Sequence, residues 1–383
     1  MSSSARPRVL VVIGTRPEGI KLAPVVEGLR ARAAEVDVRL ALTGQHTDLM
    51  DQVLQVFDLA VDWDLDIMKE GQSLYDVAHG CLEGLRGVVR DYRPDMIVVQ
   101  GDTASVFFGA LVGFFERVRV GHVEAGLRSR DKWRPYPEEI LRRLTGVVTD
   151  VHFAPTPGAR AHLLAEGVTA SSIHVTGNTV VDALQRIAER PHEARDGALR
   201  DALASGRRLV LVTAHRRESF GAPLREAFTA LRDIADRFED VLLVYPVHPN
   251  PQVRAPAEEL LGAHPRIRLT VPLDYFDLLV ALRRASLAIT DSGGIQEEAP
   301  SFGTPVLIMR EVTERPEAVE AGVARLVGTD RKLIVQEAAR VLENSAGPKQ
   351  VENPYGDGRA GDRIADIIVH VLAGTPRHTA DWR

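Results

Sequence analysis

Thr290-Asp291-Ser292-Gly293-Gly294-Ile295-Gln296-Glu297-Glu298-Ala299-Pro300 reads as a strand giving way to a helix through a turn of small residues. The apolar run Leu287-Ala288-Ile289 before it has the character of a buried strand end, and Pro300 and Gly303 close the short helical pattern after it. Ser292, Gly293 and Gly294 let a phosphate come close to backbone N–H groups at a helix N-terminus, where the helix dipole also favours negative charge. Glu297 and Glu298 lie about one turn further on, within reach of ribose hydroxyls. Taken alone, the stretch describes equally well a Gly-rich turn into a solvated acidic helix start.

Outward from it, the chain alternates short β-branched runs with longer helical patterns, as parallel sheets with crossover helices do. The strands expected in the first half are Arg8–Ile13, Val38–Leu42, Met96–Val99, Val118–His122 and Val151–Phe153. In the second half they are Leu209–Val212, Val241–Tyr245, Ile267–Thr270, Leu287–Thr290 and Val306–Met309. The turn signal Gly177-Asn178-Thr179 and the polar stretch Glu189 to Asp196 lie between the two sets. The reading is an α/β chain of two Rossmann-like doubly wound domains facing a cleft. The first is 1–181, completed by a C-terminal helix in 360–383, and the second is 182–359. Ligands of such folds bind at the carboxyl ends of the strands.

Composition fits. The 383 residues exceed what one hydrophobic core ordinarily supports, and 45% of them are hydrophobic. Cys81 is the single cysteine, which excludes an internal disulfide framework, and no run of Cys and His has zinc spacing, so no metal site is expected. The basic start Met1 to Arg8 is followed only by a strand-length run, not by the apolar core of a leader, so a soluble cytoplasmic protein with no membrane segment is expected. A net charge of −6 gives no reason to expect nucleic acid.

The expected strand ends carry the chemistry. Arg16 follows the first strand and could clamp a phosphate bidentately, with Lys21 a turn later near the positive end of a helix that Pro17 starts. Gln45 and His46 follow the second strand, where a structural histidine is the commoner case. Asp102 stands past the third strand and Glu124 past the fourth, while Glu138 opens a helix that also carries Arg142. Several carboxylates gathered beside arginines suit proton abstraction next to proton donation. Each also has an ordinary reading: Asp102 as a helix cap, Glu138 and Glu139 as complements to the helix dipole. In the second half, His215 follows a strand, His248 sits in a proline-flanked loop, Tyr275 suits either a base or the core, and Arg315 precedes a helix begun by Pro316.

Taken together these segments resemble one family. Gly14-Thr15-Arg16-Pro17-Glu18, Gly44-Gln45-His46, Gly101-Asp102-Thr103, His122-Val123-Glu124-Ala125-Gly126-Leu127-Arg128, Pro137-Glu138-Glu139, His215-Arg216-Arg217-Glu218, Asp291-Ser292-Gly293-Gly294, Thr313-Glu314-Arg315-Pro316-Glu317 and Asn353-Pro354-Tyr355-Gly356-Asp357-Gly358 occur in the order found in the non-hydrolysing UDP-N-acetylglucosamine 2-epimerases. The match runs from about residue 8 to about residue 370.

The resemblance implies a fold like the GT-B glycosyltransferases, a homodimer, and interconversion of UDP-GlcNAc and UDP-ManNAc without metal or nicotinamide, through elimination of UDP to a glycal. It implies Asp102, Glu124 and Glu138 as acid/base carboxylates and His215 beside the diphosphate. Arg16, Ser292, Gly293, Gly294 and Glu298 are implied as UDP contacts. Lys21, Arg142 and Arg315 are implied as basic residues of the cleft, and Gln45 and His46 as contacts of an activating substrate molecule. One position departs from the pattern: Leu141 stands where the family usually has Asn, which leaves room for a related UDP-sugar. The other readings of the fold are a GT-B glycosyltransferase, a hydrolysing epimerase and a nucleotide-sugar sensor.

Overall fold

The computed structural model describes residues 6–44, 48–69, 71–190, 192–344 and 352–383. The chain divides into two compact units, one of Met1–Gln185 with Tyr355–Arg383 and one of Arg186–Pro354. The first division falls inside the helix Thr179–Ala188, beyond residue 181, and the second before residue 359. The reason is local. Asn178 donates its N–H to the Tyr355 carbonyl at 2.7 Å, and Asp182 accepts from Ala360 and Gly361 at 3.2 and 2.8 Å, so both chain crossings are stitched into the first unit.

The first unit is built on a seven-stranded sheet of β1 (Arg8–Ile13), β2 (Asp37–Leu42), β3 (Trp63–Asp64), β4 (Met96–Gln100), β5 (Arg119–Val123), β6 (Val151–Ala154) and β7 (Ile173–Val175). Its order is β3-β2-β1-β4-β5-β6-β7, and every pairing is parallel. Helices cover the sheet, so the central strands read as unbroken apolar runs instead of alternating. In β1, Val9, Leu10, Val11, Val12 and Ile13 are all at most 1% exposed. Each such side chain contributes roughly 1.5–3 kcal/mol by burial.

The second unit carries β8 (Arg208–Thr213), β9 (Val241–Pro246), β10 (Ile267–Thr270), β11 (Ala285–Thr290), β12 (Val306–Ile308) and β13 (Ala324–Leu326). They form a six-stranded parallel sheet in the order β10-β9-β8-β11-β12-β13. Numbered within its own unit this is 3-2-1-4-5-6, the doubly wound dinucleotide-fold order, and the first unit has the same order with one strand added. The chain is therefore α/β with two Rossmann-like units.

Three strands escaped the sequence reading: β3, β7 and β13. All are sheet edges of two or three residues. An edge strand is half-solvated and short, which leaves too few apolar positions to make a pattern.

The last helix, Ala360–Ala373, lies against the first, Arg16–Arg30, within the first unit. Small residues let them touch: a Cβ on Gly361 would stand 2.5 Å from the Pro24 carbonyl oxygen, and one on Gly28 would stand 2.9 Å from the Ala365 Cβ.

Candidate active site

In each sheet the order reverses beside the first strand, between β1 and β4 and between β8 and β11. Connections leave such a pair on opposite faces, so the carboxyl ends open a crevice. Arg16 and Asp102 follow β1 and β4, and His215 and Ser292 follow β8 and β11, while Glu124 follows β5, one strand further out.

In the first unit, Asp102 and Glu124 are brought together by Arg142. One end of the guanidinium pairs with the Asp102 carboxylate. The other reaches the Glu124 carbonyl at 2.7 Å and its carboxylate at 3.4 Å. The second Glu124 oxygen takes Lys21 Nζ as ion-pair partner and Gln100 Nε2 at 3.1 Å. Lys21, Glu124 and Arg142 are all at most 7% exposed. Arg142 between the two carboxylates, with Lys21 on the far oxygen of Glu124, offsets the repulsion that would otherwise separate them. Lys21 and Arg142, expected among the basic residues facing ligand, thus spend much of their charge on the acids.

The backbone is shaped for this. Glu124 has φ +64°, a left-handed conformation that is unfavourable for a side chain of its size. Such strain persists only where the surroundings over-determine it, and here Arg142 grips the Glu124 carbonyl. Before Asp102, Gly101 has φ +92°, which a side chain would resist. Its carbonyl accepts from His122 Nε2 at 2.8 Å. Burial pushes the His122 imidazole down to about 3, so the ring is neutral and Nε2 carries its proton.

Glu138 is half-buried and opens the helix Glu138–Val148; Arg142 follows one turn later on the same face. Its neighbour Glu139 is buried and accepts from the Ser129 N–H at 2.9 Å and the Arg130 N–H at 3.3 Å, which ties down the loop before the helix. Arg16 begins the helix that carries Lys21. Between them, Glu18 is 2% exposed, and burial pushes its carboxyl up to about 7 against the hydrogen bonds it accepts. Gln45 and His46 lie outside the described residues.

In the second unit, Asp291 and His215 form a pair. Asp291 Oδ2 accepts the N–H groups of His215 and Arg216 at 2.6 and 2.8 Å, and Oδ1 lies 3.2 Å from His215 Nδ1. Burial opposes ionisation of Asp291, yet the His215 ring and the two backbone donors hold its carboxyl below the usual range. With Nδ1 turned to Asp291, the His215 side chain is 39% exposed and stacks on His248 with centroids 5.9 Å apart. His248 in turn accepts the Asn250 N–H at Nδ1, at 3.1 Å, so it serves its own loop.

Ser292 precedes the short helix Gly293–Glu298 without capping it; its N–H donates to Thr290 Oγ1 at 2.9 Å. Its hydroxyl and the following glycine amides are therefore the groups suited to a phosphate. A Cβ on Gly293 would stand 2.7 Å from the Arg315 guanidinium, which places that cation against the turn. Arg315 is also held by buried Glu297 and Glu314. Behind it, Arg310 reaches Glu314 at 2.8 Å and Glu218 at 2.9 Å. Burial would raise Glu314, but Arg315, Arg310 and Arg216 hold its carboxyl far below the ordinary range. Glu298 is 6% exposed and accepts the Tyr275 hydroxyl at 2.9 Å, so Tyr275 belongs to the core and steers Glu298. The solvated acidic helix start that the sequence also allowed is not what forms.

Among the described residues, one group brings metal-ligand atoms together: His192, Asp274 and Asp277, within 4.8 Å of one another. Its central carboxylate is taken up structurally, because Asp277 accepts from His192 at 2.8 Å and from the N–H groups of Arg195 and Asp196 at 3.0 and 2.7 Å. No helix among the described residues is long and apolar enough to cross a membrane.

Comparison with known proteins gives the family. The family profile described as UDP-N-acetylglucosamine 2-epimerase matches residues 29–369. The UDP-N-acetylglucosamine 2-epimerase of Escherichia coli K12 is 45% identical over 371 residues, spanning 94% of this chain and 98% of that one. The crystal structure of the UDP-GlcNAc 2-epimerase from Neisseria meningitidis, bound to UDP-GlcNAc, superposes with a TM-score of 0.88 at 38% identity, covering 96% of this chain and all of that one. A spinosyn rhamnosyltransferase, at 16% identity and a TM-score of 0.51, shares the fold alone, that of a GT-B glycosyltransferase.

The paired α/β units, with acids at the strand ends of the first, belong to an epimerase, an enzyme of the isomerase class. The chain is a member of the UDP-N-acetylglucosamine 2-epimerase family.

Proposed function

We propose that the enzyme interconverts UDP-GlcNAc and UDP-ManNAc by eliminating UDP to 2-acetamidoglucal and adding it back at C1 with C2 protonated from the other face. The C2 proton of the sugar is weakly acidic, so a free carbanion is disfavoured. In the elimination a carboxylate takes that proton, the C–H electron pair becomes the C1–C2 double bond, and the C1–O bond breaks to release UDP as the anion. Re-addition reverses each step with the proton delivered to the opposite face.

The observation that carries this reading is the Asp102–Arg142–Glu124–Lys21 network, with Glu138 on the helix of Arg142. It supplies the acids and bases, and its cations stabilise them while charge moves. Within the second unit, Ser292, Gly293 and Gly294 take the diphosphate, with Arg315 beside the turn. His215, held by Asp291, donates to the departing phosphate, and Glu298, steered by Tyr275, takes the ribose hydroxyls. Lys21 and Arg142 act on the substrate mainly through the carboxylates they hold.

Incubation with UDP-GlcNAc alone in deuterium oxide, followed by NMR, tests this. UDP-ManNAc should form, and both it and recovered UDP-GlcNAc should carry deuterium at C2. Asp102→Asn, Glu124→Gln and Glu138→Gln should each lose most turnover, on the order of 100-fold or more. Product with its C2 protium fully retained would rule out the elimination. Absence of UDP-ManNAc would move the sugar assignment to a related UDP-sugar, with Leu141, half-buried on the Glu138 helix, the first position to change.

The family resemblance further supports a homodimer acting in the cytoplasm, activated by its own substrate near Gln45 and His46. The single Cys81, buried, suits a reducing compartment.

A further inference from the structure

Glu18 is a buried carboxylate at the rim to which the reaction above assigns no step. Its oxygens are divided between two turns. Oε2 accepts the Gly14 N–H at 2.6 Å, and Oε1 accepts the Thr15 hydroxyl at 2.9 Å, both on the turn that leads into Arg16. The same Oε1 accepts the hydroxyl of Thr103, the residue after Asp102, at 2.8 Å.

The two threonines make this arrangement unusual. Thr15 is the N-cap of the helix Arg16–Arg30 and Thr103 the N-cap of the helix Ala104–Phe115, yet neither side chain caps its own helix. A threonine at that position ordinarily accepts a hydrogen bond from an exposed N–H of the first turn. Here both hydroxyls turn away from that role and donate to one carboxylate. The neighbourhood is closed as well: a Cβ on Gly14 would stand 2.5 Å from Ser105 and 3.1 Å from Glu18 Oε2.

We propose that Glu18 is a positioning residue for the elimination, fixing the turn that presents Arg16 against the turn that presents Asp102. This rests on the function proposed above. Asp102 is then located twice, through its side chain by Arg142 and through its backbone by the Thr103–Glu18 bond. Lys21, one turn beyond Glu18 on the same helix, pairs with Glu124, so displacing this helix start would disturb both acids. A displacement of about 1 Å in a catalytic group costs on the order of 100-fold in rate.

The test uses Glu18→Gln, Thr103→Val, Thr103→Ser and the Glu18→Gln/Thr103→Val double variant of the full chain. Backbone amide exchange followed by mass spectrometry reads the coupling without reference to substrate. Glu18→Gln should speed exchange in segment 101–106, Thr103→Val should speed it in segment 14–18, and Thr103→Ser should behave as wild type. Turnover of UDP-GlcNAc reads the consequence. Glu18→Gln and Thr103→Val should each lower kcat by roughly 10- to 100-fold with little change in KM, the double variant should be no worse than the poorer single one, and Thr103→Ser should restore kcat. Unchanged exchange across the partner turn overturns the positioning role. So do multiplicative rate losses in the double variant, or a serine variant no better than the valine one. Coupled exchange in an enzyme that does not turn over UDP-GlcNAc would instead reject the assigned reaction and leave the Glu18 link standing.

Discussion

A histidine just past a strand is an ordinary occurrence; what gives His215 a definite chemistry is Asp291. The carboxylate faces Nδ1, which turns Nε2 outward to where a diphosphate oxygen would meet it. Asp291→Asn should keep the backbone bonds in part but lose the charge that faces Nδ1 and with it this orientation. UDP affinity is expected to weaken by about 1.5–3 kcal/mol, the value of a hydrogen bond to a charged group, and calorimetric titration checks it. An unchanged affinity would show that His215 does not need its partner. Asp291 stood within the stretch that decided the fold and was still not read as a site residue. Its partner is 76 positions away, and only the register that pairs Thr213 with Thr290 brings the two strand ends together. Glu18 was missed for a similar reason, since its link to Thr103 spans 85 positions. Asp102, Glu124, Glu138 and His215 could be singled out because each follows a strand or opens a helix, where position alone suggests exposure to a ligand.

Among the elements, the doubly wound pattern was legible because the central strands are continuous apolar runs, as with Val9 to Ile13. Three of the four edges were not, β3 having only two residues to show. Joining the last helix to the first unit depends on groups that no pattern shows. Asp182, 5% exposed, receives the Ala360 and Gly361 N–H groups at the start of that helix. Burial pushes its carboxyl from 3.8 to about 6, against the pull of those donors. The folded protein therefore holds this proton more tightly than the unfolded chain. Stability from Asp182 is complete below its unfolded value and is lost as pH rises from about 4 through 6. The difference in unfolding free energy between wild type and Asp182→Asn should thus move in favour of the variant over this window, by about 2–3 kcal/mol. Urea unfolding at several pH values measures it. A difference that is flat with pH would mean that the carboxyl ionises inside the protein as it does in water.

At the scale of the molecule, the first unit leaves apolar surface that its own core does not use. Phe114 and Phe115, at the end of the helix Ala104–Phe115, are 60% and 63% exposed, and Leu144 and Val147 on the helix Glu138–Val148 are 42% and 81% exposed. The two helices pack against each other, so these side chains belong to neighbouring elements. Scattered single hydrophobics on a surface are common, but adjoining exposed phenylalanines beside a second apolar helix face suit an interface. A second copy of the chain is the occupant that the expected homodimer supplies. The helix concerned also carries Glu138 and Arg142, so dimer contacts on its outer face would stiffen the element that holds the two acids on its inner one. Light scattering after size exclusion should give a dimer for the wild type and a monomer for Phe115→Arg combined with Val147→Asp. In that variant turnover should fall while UDP affinity stays near wild type, because the second unit's turn is untouched. A dimer that survives both charges would place the interface elsewhere on the surface. A monomer of undiminished turnover would separate assembly from catalysis and leave the helix held by Asp102 and Glu124 alone.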